Sequence, residues 1–173
     1  KQLEEFASKL HVPFGFLFLD TPPVEQSPIP FFRGKANNGH LDLNTYDTVL
    51  TLQRRQEWLS NYLIDNDLKK CEFVGILNGC TSVSYITDTV RNLLKIEKTW
   101  AFSFQRYEQA VNKITEIFEE LGVVVEFNCV VGNNTHRPIN VNECRGFSLV
   151  DKAARFIFVN SADSKSALLF TLI

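Results

Sequence analysis

Two short apolar runs near the end of the chain, Gly146–Val150 and Phe156–Val159, flank a polar turn at Asp151–Arg155 and read as paired strands. The cluster Asn160-Ser161-Ala162-Asp163-Ser164 follows at once and offers oxygen atoms to the free N–H groups of a helix's first turn. A helix then carries Ala162, Leu169 and Ile173 at helical spacing, with Leu168 and Leu172 alongside. This strand–strand–helix unit confines the chain to folds that mix helices with a small sheet. The helix reaches Ile173 with no glycine, asparagine or basic last turn, which is expected of a chain that stops inside a helix. The sequence contains no methionine and starts at Lys1, so it is expected to be a fragment, with removal of a signal peptide as the competing explanation.

Upstream, Leu3, Phe6, Ala7 and Leu10 give Lys1–Leu10 an apolar helical face. Prolines 22, 23, 28 and 30, with Pro13 just before and the turn cluster Lys35–Gly39 after, mark residues 21–39 as a linker, since proline lacks an amide donor and holds its predecessor extended. Leu43 to about Asp67 is free of proline and glycine and predicts one long helix on a stripe of Leu43, Tyr46, Leu50, Trp58 and Tyr62. Arg54 and Arg55 on it, with Glu57 nearby, fit a solvated or salt-bridged helix surface better than a phosphate site. A short strand is expected at Phe73–Leu77. A helix through Val83, Ile86, Val90, Leu93 and Leu94, capped by Ser82 or Ser84, comes next. Phe104, Tyr107, Val111, Ile114, Phe118 and Leu121 predict a further helix, capped by Ser103 and stopped by Gly122. The β-branched run Val123–Phe127 is a strand. The fold class is therefore α+β, with helices around a small, mostly antiparallel or mixed sheet of Val123–Phe127, Gly146–Val150 and Phe156–Val159.

A net charge of −2 and a pI near 5.9 lack the basic footprint of a nucleic-acid-binding surface. The longest apolar run, Val12–Leu19, falls far short of the roughly 18 to 20 residues that span a bilayer. Cys71, Cys80, Cys129 and Cys144 are irregularly spaced with no Cys-x-x-Cys pair, which points to reduced thiols in the cytoplasm. Cys129, His136 and Cys144 have the donor types for zinc, but gaps of seven and eight residues lack the close pair usual in structural sites.

Five separated segments together resemble one family. The run Arg145–Ile173 resembles the ImmA/IrrE metallopeptidases, in which this strand, strand and helix lead into a His-Glu-x-x-His motif. "PIPFFRG" resembles the family's Pro-x-Pro-Asp-Phe-Arg signature, with Phe31 where an aspartate is usual and Arg33 retained. "LQRRQEWL" (Leu52–Leu59) resembles its Arg-Arg-Gln-Asp-Trp string, and "HVPFGFLFLDTPP" the close of a preceding helix-turn-helix domain. "GNNTHR" with the later "ECRGF" resembles a loop beside the edge strand of the family's cleft. The resemblance implies that residues 1–20 are the last helix of a helix-turn-helix domain, 21–39 a linker, and 40–173 the N-terminal portion of a zincin-like peptidase domain. It further implies that the intact parent binds zinc and cleaves a repressor-like regulatory protein, reaching DNA through a helix-turn-helix domain missing here. The two motif histidines and the glutamate that would hold zinc and activate water are absent from the sequence, so this chain alone is expected to bind no cofactor and to be inactive. The alternative is a helix-turn-helix regulator or antitoxin whose peptidase-like part only senses or dimerises.

The candidate substrate contacts are Asn133, Asn134, Thr135, His136 and Arg137 in the polar loop, and Arg145 after it. Asparagine and threonine there favour turns, and Pro138 fixes a bend. Three roles are open to His136: a loop-bracing hydrogen bond, a substrate contact and a metal ligand. For Arg145 and Asp151, an internal ion pair across the strand pair is the expectation.

Overall fold

The structure, a computed structural model, describes residues 1–10, 12–21, 29, 41–68, 73–151 and 153–173. The Pro-rich linker, including Phe31 and Arg33, lies almost wholly outside the described residues. In chain order the elements are α1 Gln2–Leu10, α2 Leu43–Asp65, α3 Val83–Leu94, α4 Tyr107–Glu120, β1 Val123–Asn128, β2 Val130–Val131, β3 Asn134–Pro138, β4 Gly146–Val150, β5 Arg155–Asn160 and α5 Lys165–Leu172, with 3-10 turns at Phe14–Phe18 and Trp100–Ser103.

The last strand in the sequence is the centre of the sheet. β5 lies between β1, to which it is parallel, and β4, to which it is antiparallel, in the order β1-β5-β4. Alternate residues point to opposite faces. Phe156 and Phe158 of β5, Phe147 and Leu149 of β4 and Val124 of β1 pack against Val49 and Leu52 of α2. Ile157 and Val159 with Val125 pack on the other side against Ile114 and Phe118 of α4 and Leu168, Leu169 and Leu172 of α5. Almost every residue of β5 is buried, as a strand covered on both faces requires. The fold is α+β with a small mixed sheet.

Local chemistry explains most boundaries. Asp42 caps α2 by accepting from Asn44 N at 3.2 Å, and Ser82 Oγ caps α3 by accepting from Tyr85 N at 3.4 Å. α4 stops where Gly122 takes φ +79°, the left-handed conformation that closes a helix at low cost. Ser164 Oγ caps α5 at Ala167 N, 3.4 Å away. Ala162, expected within that helix, precedes the cap, because Asn160 Oδ1 accepts its amide at 3.1 Å and holds the chain in a turn.

Other expectations are corrected. Phe73–Leu77 is not a strand: residues 73–79 form successive turns closed by Asn78 N to Gly75 O at 3.0 Å and Cys80 N to Leu77 O at 3.0 Å, with Gly75 at φ +83° and Gly79 at φ +79°. Ser103 does not cap α4; its hydroxyl donates to Trp100 O at 2.6 Å, ending a 3-10 turn, while Gln109 Oε1 accepts from Arg106 N at the true helix start. The packed face of α2 is Thr45, Thr48, Val49, Leu52 and Ser60, and Trp58 and Tyr62 of the expected stripe stack on each other in solvent, 5.7 Å between centroids. The polar loop 130–147 contains the hairpin β2–β3.

Candidate functional site

Three segments meet beyond the C-terminal ends of β1 and β5. The ends face each other at Asn128 and Asn160. Asn160 is fully buried: its Nδ2 donates to Ile139 O at 3.1 Å and to Cys144 O at 3.0 Å, and its Oδ1 accepts from Ala162 N. Asn128 Oδ1 accepts from Cys129 N at 2.8 Å and Val130 N at 3.2 Å, and its Nδ2 donates to Gly132 O at 3.1 Å. Two asparagines thus satisfy the backbone of three irregular segments, as buried polar groups must be satisfied.

The candidate residues fall around this knot with different tasks. Arg137, on β3, donates through Nε to Asn44 Oδ1 at 3.0 Å and through a terminal nitrogen to Asp47 Oδ2 at 2.6 Å. Asn44 Nδ2 in turn donates to Pro138 O at 2.9 Å, and Asp42 N to Glu143 Oε1 at 2.5 Å. Arg137 therefore ties the hairpin to the start of α2. Arg145 pairs with Asp163 at 3.1 Å. The ion pair expected with Asp151 is not formed; Asp151 Oδ1 instead accepts from Ser60 Oγ at 2.5 Å and from Ala153 N and Ala154 N, closing the β4–β5 turn against α2. Asn134 Oδ1 accepts from His136 N at 3.0 Å, so the loop is braced by the histidine's backbone. The side chains of Asn133, Thr135 and His136 are exposed and make no hydrogen bond among the described residues. None of the six lines the cavity beside β4 or the one between the end of α2 and the α4–β1 turn, both described below. Arg55 on α2 pairs with Glu126 of β1 at 2.6 Å, as the expected salt-bridged surface would.

No group of three or more His, Cys, Asp or Glu side chains among the described residues can hold a metal ion, and Cys129, His136 and Cys144 do not form one. Cys144 is buried, and burial, with the Glu143 charge beside it, pushes its thiol up to about 12 against the pull of a hydrogen bond from the Gly146 amide. Such a thiol is inert.

β4 forms one edge of the three-stranded sheet. Asp151 N donates to Ala154 O at 3.1 Å and Asn160 N to Arg145 O at 2.9 Å. Because bonded and non-bonded pairs alternate along an antiparallel ladder, Phe147 and Leu149 bond to β5 while the peptide groups of Ser148 and Val150 face outward. Among the described residues no strand pairs with that side. Next to it is a cavity of about 440 Å³ between the sheet, α3 and the turns at Phe73–Asn78, bounded by Ser148, Val150, Ile157, Thr89, Val90 and Leu93 among others. The alternation in Gly146–Val150, with Ser148 at an outward position, was the available signal. A second cavity, about 1010 Å³, opens between the end of α2 and the α4–β1 turn. No helix among the described residues is long and apolar enough to cross a membrane.

Compared with protein-family models, curated proteins and solved structures, the chain matches none significantly.

Proposed function

We propose that this chain is the substrate-receiving part of a zinc-dependent metallo-endopeptidase of the ImmA/IrrE type, acting on a repressor-like regulatory protein. One observation carries the reading: an antiparallel edge strand, β4, runs directly into the central strand β5, and β5 leads through the Ser164 cap into α5. In peptidases of this zincin-like form an extended substrate adds to such an edge strand, and the helix that follows bears the metal motif. Main-chain hydrogen bonds then supply affinity, whatever the side chains. The residues present do not fit a zinc ion, since the described ones hold no metal-ligand group and the sequence has no His-Glu-x-x-His. What this chain's own residues do is bind and align: Ser148 and Val150 present amides and carbonyls to a peptide, and Asp151, held by Ser60, fixes the turn that sets the edge.

Panning a phage-displayed random peptide library against the chain, followed by hydrogen–deuterium exchange with the best binder, tests the reading. Protection of the Ser148 and Val150 amides is expected, and a binder that protects only other elements overturns it. Zinc calorimetry on the chain is expected to show no tight stoichiometric site; one would overturn the ligand assignment. Where the coding sequence continues past Ile173, a His-Glu-x-x-His there favours the peptidase, and its lack favours a regulator that only binds.

A further inference from the structure

We infer that the cavity beside β4 selects the bound peptide by its apolar side chains at alternate positions, so that the ligand is an extended segment of pattern apolar-x-apolar; this rests on the edge-strand reading above. Residues directly opposite each other in a sheet carry their side chains on the same face. Ser148 lies opposite Ile157 and Val150 opposite Arg155, so these side chains share the face on which Ile157 packs with α4 and α5. A peptide strand paired to the outer side of β4 places the residues opposite Ser148 and Val150 on that same face. The cavity lies there, with Ser148 and Val150 in its wall and Thr89, Val90 and Leu93 of α3 across from them. Its volume of about 440 Å³ is within the roughly 300–1,000 Å³ of sites that enclose small ligands. The intervening peptide residue points to the opposite face.

The edge of β4, open among the described residues, determines the kind of occupant. A small apolar molecule would fill the cavity and leave the outward amides and carbonyls of Ser148 and Val150 in water. A helix has no free backbone groups along its side to meet them. Only an extended chain fills the cavity and pairs the edge together.

Acetylated heptapeptides Lys-Thr-Xaa-Thr-Xaa-Thr-Lys, with Xaa either phenylalanine or alanine, test this by calorimetry and hydrogen exchange on the chain. The phenylalanine peptide is expected to bind about tenfold to a hundredfold more tightly, the ratio for burying large apolar side chains. Thr89→Trp, which fills the cavity from α3, is expected to erase that ratio while the alanine peptide binds as before. Val150→Pro removes one outward amide and is expected to weaken both peptides. If circular dichroism shows that Val150→Pro is unfolded, a peptide N-methylated at alternate amides makes the same cut from the ligand's side. Equal affinity of both peptides with Ser148 and Val150 protected overturns the selectivity and leaves edge binding standing. Failure of both peptides to protect those amides, where a library binder does protect them, also overturns it; failure of every peptide removes the edge-strand reading itself.

Discussion

Arg137 shows how a residue that looks made for a ligand is used up by the fold. Its guanidinium is largely buried between Asn44 and Asp47, so Arg137→Ala leaves Asp47 and the Asn44 amide oxygen unanswered and frees the hairpin from α2. Urea unfolding should show a loss of about 1–3 kcal/mol. Asn160→Ala should cost more, since it strands the carbonyls of Ile139 and Cys144 in a dry site at about 1–3 kcal/mol each. Asn128→Ala, at the facing end of β1, is half-exposed and should cost less than Asn160→Ala. Cys144 gives a pH signature. Its thiol is raised from an ordinary value of 9.0 to about 12, so the folded state keeps the proton that the unfolded chain releases. The sign follows: stability from this group is complete below pH 9 and falls as pH rises from 9 towards 12, by at most about 1.4 kcal/mol per pH unit. Denaturant midpoints across that window in the chain and in Cys144→Ser or Cys144→Ala check it; a slope that survives removal of the thiol sinks the assignment.

At the scale of elements, α2 and β4 divide what the sequence could show from what it could not. Absence of proline and glycine marks α2 as a long helix, but its buried face does not follow its large apolar residues: Trp58 and Tyr62 stay in solvent while Thr45, Thr48 and Ser60 are buried. Thr48 sends its hydroxyl back to Asn44 O at 2.8 Å and Ser60 to Asp151, so these side chains enter the core as small, satisfied groups. Leu52→Ala should therefore cost about 2–5 kcal/mol. Trp58→Ala should cost about 1 kcal/mol or less, mainly its stack on Tyr62, by thermal or urea unfolding. The strand pair around Asp151 was legible from two apolar runs and a polar turn. Phe73–Leu77 was not: its apolar letters resemble a strand, yet Gly75 bends the chain before any partner is met. The candidate loop was recognised as polar, but nothing local revealed that Arg137 would meet Asp47, ninety residues earlier. Gly146 is a packing demand invisible in sequence. A Cβ there would stand 2.6 Å from Phe158 O and 2.5 Å from Thr171 Cγ2. Gly146→Ala should destabilise by about 1–3 kcal/mol, and Thr171→Ser should recover only part of it, because the Phe158 carbonyl cannot move aside.

For the whole molecule, the sheet is the rigid body and the N-terminal arm is its opposite. β5 is buried from both faces, whereas α1 buries only Ala7 and leaves Leu3, Phe6 and Leu10 exposed. Native-state hydrogen exchange should find the slowest amides in β5 and the fastest helical ones in α1; comparable protection in both would contradict this division.

The place of β5 at the middle of the sheet also governs the order of assembly. A ribosome makes α2, α4 and β1 before the strand that joins their apolar faces exists. Until Phe158 and Val159 emerge, Leu52 and Ile114 have no sheet to cover them, and β1 has no neighbour. Between the emergence of α2 and that of β5 the nascent segment thus exposes separate sticky helices, and the β1–β5 pairing closes late, across a long loop. That interval is when a chaperone has the most to hold and when neighbouring copies on one messenger are most prone to tangle.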